Sequence, residues 1–201
     1  MRVQMIAACM VLGASSMMAT AQMAMGGGNA SPAAGTIAAP AMAIDAQLNI
    51  IEGEMMGAVK AMPAEKFGFA PSQAIFVPSQ KTEFATVRTF AQQAMHVAQA
   101  NYFFYEAVGG GKPDADVAAI AKMTKKEDVV AALAGSFAYA HQAIAKITAA
   151  NAFEVVKSPE PGMLATRATL AQFAVSHAND HYGQMVEYLR MNGIIPPASA
   201  K

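Results

Sequence analysis

The chain has 201 residues, 54% of them hydrophobic, and its 14 basic residues are matched by 14 acidic ones. That balance excludes the basic footprint expected of a protein that binds nucleic acid or an anionic membrane surface. The length suits one domain with a true core, and a single cysteine, Cys9, excludes a disulfide framework.

The first residues read as targeting sequence. Arg2 supplies a short positive region, Met5 to Leu12 an apolar run, and Ala19-Thr20-Ala21 an A-x-A cleavage site. A signal peptide over residues 1–21 is expected, with Gln22 as the new N-terminus and the periplasm or the cell exterior as destination. An uncleaved anchor is the weaker reading, because Gly13, Ser15 and Ser16 interrupt a run that would need about 20 apolar residues to span. Stable membrane insertion after cleavage is not expected. Cleavage removes Arg2 and no acidic residue, leaving 13 positive against 14 negative side chains, and it removes Cys9 as well. Lipid attachment at Cys9 does not fit, since only eight residues precede it and the apolar run continues beyond it. The mature chain would draw its chemistry from histidine, carboxylates, tyrosine and backbone.

Residues 22–43 are Met, Gly, Ala, Ser and Pro with almost no charge, and Gly26-Gly27-Gly28 opposes a helix there. They read as a flexible linker, which leaves 44–201 as the folded domain. Four helices are expected within it. The first covers about Asp45 to Met62, with Asp45 as N-cap and Pro63 as its stop. Phe67, Phe69, Ile75 and Phe76 then make a connection too apolar for a plain solvent loop, expected to lie across the bundle. The second covers about Glu83 to Val108, stopped by Gly109-Gly110-Gly111 and Pro113. The third covers about Lys125 to Ala150, with Thr124 and Glu127 spaced as a capping box. The fourth begins near Thr166 or Arg167 and ends at Asn192, before Gly193 and Pro196-Pro197. No segment shows the alternation of a strand. The fold class is therefore all-α. Alanine makes these helices narrow, so Met and Phe must fill the core, and packing accounts for the 16 methionines better than copper binding does.

His177 and His181 stand four apart on the fourth helix, so both rings leave one face about 6 Å apart along the axis. Leu170, Phe173, Ala174, Gln184, Met185 and Tyr188 share that face, while Asn179, Asp180, Glu187 and Arg190 lie elsewhere. Two imidazoles on an apolar face need partners, and a metal ion satisfies both. The pair alone is a weak motif, and satisfied core histidines explain it about as well. A third ligand would have to be His96 or His141, the only other histidines. Periodicity places His141 on a stripe with Val130, Ala134, Phe137, Ile144 and Thr148, whereas the helix of His96 is apolar nearly all round. Geometry read from the sequence slightly favours His141.

The segment SHANDHYGQMVEYLRMNGIIPPAS, residues 176–199, together with AMPAEKFGFAP and FATVRTFAQQAMHVAQANYFF, resembles the DinB-like superfamily of metal-binding four-helix bundles. The likeness runs from about residue 45 to 199. It implies a four-helix bundle in up-down-down-up order, with GGGKPDADVAAIAKM as the long connection between the second and third helices. It also implies a metal site of three histidines, which fall on His96, His177 and His181, with His141 left as a packed core histidine or an outer-sphere donor. Three neutral imidazoles suit Zn²⁺ or Ni²⁺ and leave a position for water or substrate. Gln184, Asn101 and Tyr182 are candidates for orienting the rings.

Three functions fit these residues. The resemblance implies a divalent-metal-dependent enzyme acting on a small molecule, either a thiol-dependent transferase or a hydrolase. Export weighs against the thiol cofactors, which are cytosolic, and Asp180 is turned away from both histidines as a general base. The second is a non-catalytic, stress-related metal-binding or interaction protein. The third is a metal-free helical packing module. Alanine-rich outer helix faces also suggest a homodimer.

Overall fold

The computed structural model describes residues 32–84, 86–158 and 161–200. The expected signal peptide and residues 22–31 of the linker lie outside the described residues. One unit ends at Thr36, and the helical unit runs from Ile37 to Lys201.

Helix α1 spans Pro40–Ala61 and so takes in residues 40–43, which the composition had suggested for the linker. Pro40 suits the first helical position because its φ is preset and its missing N–H would have no partner there. Asp45 is consequently not the N-cap. It stands inside the helix and serves a partner on another helix. Ile44, Leu48, Ile51, Met55, Ala58 and Val59 are buried at helical spacing. The helix stops before Pro63, and Lys126 Nζ takes up its last carbonyls, donating to Lys60 O at 2.9 Å and Met62 O at 2.7 Å.

The Phe67–Phe76 connection divides into two parts. Phe67 and Phe69 fold inward, edge-on to Phe90 and Tyr188 respectively. Their carbonyls accept from the N–H groups of Ala91 and Phe90 at 2.9 and 2.8 Å. Ile75 is 48% exposed, so the second part does not lie across the bundle as expected.

Helix α2 spans Phe90–Tyr105 and starts later than the expected Glu83, because Thr89 closes a capping box with Gln92. A single wide turn, Glu106–Gly110, follows and ends where Gly109 takes φ +124. Three side chains close the carbonyls there. Arg167 Nη1 donates to Val108 O at 2.6 Å, Lys146 Nζ to Gly110 O at 3.0 Å, and the Tyr139 hydroxyl to Gly111 O.

Helix α3, Val117–Ile120, is a four-residue element inside the long connection, capped by Asp116. Helix α4 spans Lys126–Ile144, with Lys125 at the N-cap and no side-chain cap, so the expected Thr124–Glu127 box does not form. Helix α5 spans Arg167–Met191 behind a Thr166–Thr169 capping box, and Gly193 turns the chain out at φ +72.

The four long helices form the core. α1 packs on α4 and α5, and α2 packs on the same two. Met55, Met62 and Met185 are fully buried within it, as their packing role requires. Among the described residues no helix is long and apolar enough to cross a membrane.

Gly110 is a tight, half-buried backbone position beside this core. A Cβ there would meet the Tyr139 hydroxyl and stand 2.8 Å from the Tyr105 carbonyl oxygen. Because the second of these is backbone and cannot swing away, Gly110→Ala is expected to cost about 1–3 kcal/mol, read as a lower urea midpoint at unchanged m-value.

Candidate metal centre

α2 and α5 lie side by side, and their shared interior holds three histidines. His96 comes from the middle of α2, and His177 and His181 come from successive turns of α5. Their Nε2 atoms converge. His177 Nε2 is 3.2 Å from both His96 Nε2 and His181 Nε2, and one ligand atom from each ring lies within 4.8 Å of the others. His181 is buried, and His96 and His177 are half-buried.

A zinc–nitrogen bond is about 2.0–2.1 Å, so tetrahedral nitrogens stand about 3.3 Å apart. The observed 3.2 Å separations match that spacing. Two of the rings also carry the right charge state. Burial, then the charges of Arg88 and His177, lowers the His96 pKa to about 4. His181 is likewise lowered to about 4, first by burial and then by His177 and His96, with Asp180 opposing. Both are neutral near pH 7 and keep a lone pair for coordination. The cluster can therefore coordinate a divalent metal ion.

The ring of His181 is oriented by a relay of amides. Its Nδ1–H donates to Gln93 Oε1 at 2.6 Å. Gln93 Nε2 donates to Gln184 Oε1 at 2.7 Å, and Gln184 Nε2 donates to Asp180 Oδ2 at 3.1 Å. A carboxylate accepts only, so the polarity of the whole chain is set from the Asp180 end. Each link then points its acceptor toward His181, which places the ring proton on Nδ1 and the lone pair on Nε2, toward the other two rings.

Gln184 thus acts as expected, but through Gln93, which the sequence reading missed. The available signal was a pair of glutamines, Gln92 and Gln93, one turn before His96, and spacing does not say which of the two faces α5. The other two candidates act elsewhere. Asn101 Nδ2 donates to Ser136 Oγ at 3.1 Å across α2 and α4. Tyr182 is half-buried at the margin of the core.

His141 belongs to none of this. It is neither a third ligand nor an outer-sphere donor to the cluster, and it is not a packed core residue. It sits at the α1–α4 seam, where Nδ1 meets Asp45 Oδ1 at 2.5 Å and Nε2 meets Glu52 Oε2 at 2.9 Å. Both ring nitrogens face carboxylates, so both must donate and the ring is an imidazolium. Burial pulls its pKa down, but the hydrogen bonds to Glu52 and Asp45 and their charges outweigh that and raise it.

Two cavities reach the cluster. One, of about 740 Å³, is lined by Arg88, Gln92, His96 and Gln99 among others. The second, of about 500 Å³, is lined by His96, His177, Phe103, Phe104 and Phe173 among others.

The DinB superfamily model matches residues 47–185, a stretch that contains all three histidines. The chain belongs to the DinB superfamily. No curated protein matches the chain.

The two kinds of histidine give pH dependences of opposite sign. His96 and His181 bind protons near pH 6.5 when unfolded and near pH 4 when folded, so the unfolded state holds more protons in between. The metal-free fold is expected to lose stability as pH falls through that window. His141 has a raised folded value, so its contribution is complete below 6.5 and is lost as pH rises through that raised value. Urea midpoints across the pH range should show His181→Gln flattening the acid slope. They should show His141→Gln costing most at about pH 5 to 6.5, where its carboxylate partners are still charged.

Proposed function

We propose that this protein is an exported, divalent-metal-dependent enzyme of the DinB-like type, with His96, His177 and His181 as the protein ligands and Zn²⁺ or Ni²⁺ as the ion. The observation that carries this reading is the convergence of three Nε2 atoms beside cavities large enough for a small molecule. A structural zinc site is ordinarily closed by four protein ligands, whereas three leave a position for an incoming group. The ion would supply Lewis acidity toward a water or thiol held at that position. The chain's own residues do the rest. The Gln93–Gln184–Asp180 relay keeps the His181 proton on Nδ1, burial keeps His96 and His181 uncharged, and Phe104, edge-on to His177 at 5.4 Å, shields that ring from water.

The reaction is assigned to the thiol-dependent transferases or hydrolases of this family type, with the hydrolase favoured because the signal peptide directs the chain away from cytosolic thiols. The signal peptide over 1–21, the up-down-down-up helix order and a homodimer belong to the same proposal. A second reading is metal binding without turnover. It is favoured by the lining of the two cavities, which among the described residues includes no carboxylate to serve as a general base.

Elemental analysis of the purified protein tests the shared part. About one equivalent of zinc or nickel is expected, and none in His177→Ala. Metal at 100 times its dissociation constant should add about 2.7 kcal/mol to unfolding free energy. Gln93→Leu should retain the fold and lose about 10–100-fold in metal affinity through release of the His181 ring. Absence of metal uptake, with a melting curve insensitive to added zinc, would remove the metal reading. Hydrolysis of a panel of small esters and amides by the zinc-loaded wild type then separates the enzyme from the binding protein. In the same preparation, a monomer mass by light scattering at micromolar concentration would remove the dimer.

A further inference from the structure

The two flanks of the histidine cluster differ in chemistry. On one side, Arg88 stands at the larger cavity with the amide side chains of Gln92 and Gln99. On the other, the smaller cavity is walled by Phe103, Phe104 and Phe173. His96 and Gln99 line both, so a single molecule lying over the cluster would meet a cation at one end and aromatic rings at the other.

Arg88 is well placed for this. It immediately precedes the Thr89 capping box that starts α2, and its backbone carbonyl accepts from the Tyr188 hydroxyl of α5 at 3.1 Å. The main chain that carries it is thereby fixed to both helices that build the cluster. Among the described residues, none of the ion pairs involves Arg88.

The aromatic side is equally suggestive. Phe104 is buried, 5.3 Å edge-on to Phe173 and 5.7 Å from Phe103, which is 56% exposed. An exposed phenylalanine continuous with a buried one and a half-buried one, beside a cavity, is apolar surface available to a ligand. Its neighbour across the cluster is a cation, so charge and apolar surface together select the ligand.

We propose that the centre takes an organic anion with an apolar body, its carboxylate paired with Arg88 and its body against Phe103, Phe104 and Phe173. This names the substrate class of the enzyme proposed above and rests on that reading for its catalytic meaning. A guanidinium pairs with a carboxylate in a fork of two hydrogen bonds, which a neutral alcohol cannot reproduce. Arg88 is therefore a specificity-determining residue.

The test is calorimetric titration of the full chain, metal-free and zinc-loaded, with 4-phenylbutyrate, butyrate and 4-phenylbutan-1-ol. The acid with the phenyl group should bind at least about tenfold tighter than either comparison compound. Arg88→Gln should bring 4-phenylbutyrate to the affinity of the alcohol while zinc stoichiometry and melting temperature stay unchanged. Phe173→Ala should bring it toward butyrate, and Phe173→Leu should restore part of the loss. Equal affinity for the acid and the alcohol, or an Arg88→Gln variant indistinguishable from wild type, overturns the proposal. Zinc uptake with no preference for the acid rejects the anion pocket and leaves the metal centre standing. Preference for the acid in protein that takes up no zinc does the reverse.

Discussion

The hydrogen bond between Gln93 and His181 is the contact on which the centre depends. Both side chains are buried, and they come from helices 88 residues apart in sequence. A buried amide and a buried imidazole are costly unless paired, and here each is the other's solution. The pairing continues through half-buried Gln184 to exposed Asp180, where a carboxylate fixes which way every donor points. Without that end point, His181 could hold its proton on either nitrogen. With it, the lone pair faces His96 and His177.

The molecule uses histidine in two opposite electrostatic settings. In the α2–α5 interior, burial and neighbouring positive charge keep His96 and His181 uncharged. At the α1–α4 seam, Asp45 and Glu52 bracket His141 and hold it protonated. The same side chain is therefore a lone-pair donor in one place and a cationic clasp between helices in the other. What separates them is the charge of the neighbouring groups, since all the rings involved are at least partly buried.

The helix ends serve the site as well as the fold. Phe67 and Phe69 satisfy the first amides of α2 and settle where that helix begins. The start of α2 in turn decides where Arg88 stands relative to His96, two turns further on. At the far end, Arg167, Lys146 and Tyr139 close the carbonyls that the Glu106–Gly110 turn leaves open. A helix held at both ends can carry a buried, partly polar face without sliding, and α2 carries His96 on such a face.

Much was legible in the chain itself. Spacing alone put His177 and His181 on one buried-facing side of α5, and Thr166, Gly193 and the glycines after Val108 marked helix ends where the helices do end. Those are local properties, set by 3.6 residues per turn and by which backbone angles a residue tolerates. His96 was not legible in this way. α2 is enclosed by α4, α5 and α3, so nearly every face is buried and periodicity loses its contrast. Only the resemblance selected it. His141 shows the converse. Its stripe did face another helix, but a period reports that a side is covered and not by what, and the cover proved to be two carboxylates. Gln93 and Arg88 gained their roles only when α5 was laid beside α2, because a hydrogen bond across 88 residues and a charge felt at a distant ring are properties of packing that no window of sequence contains.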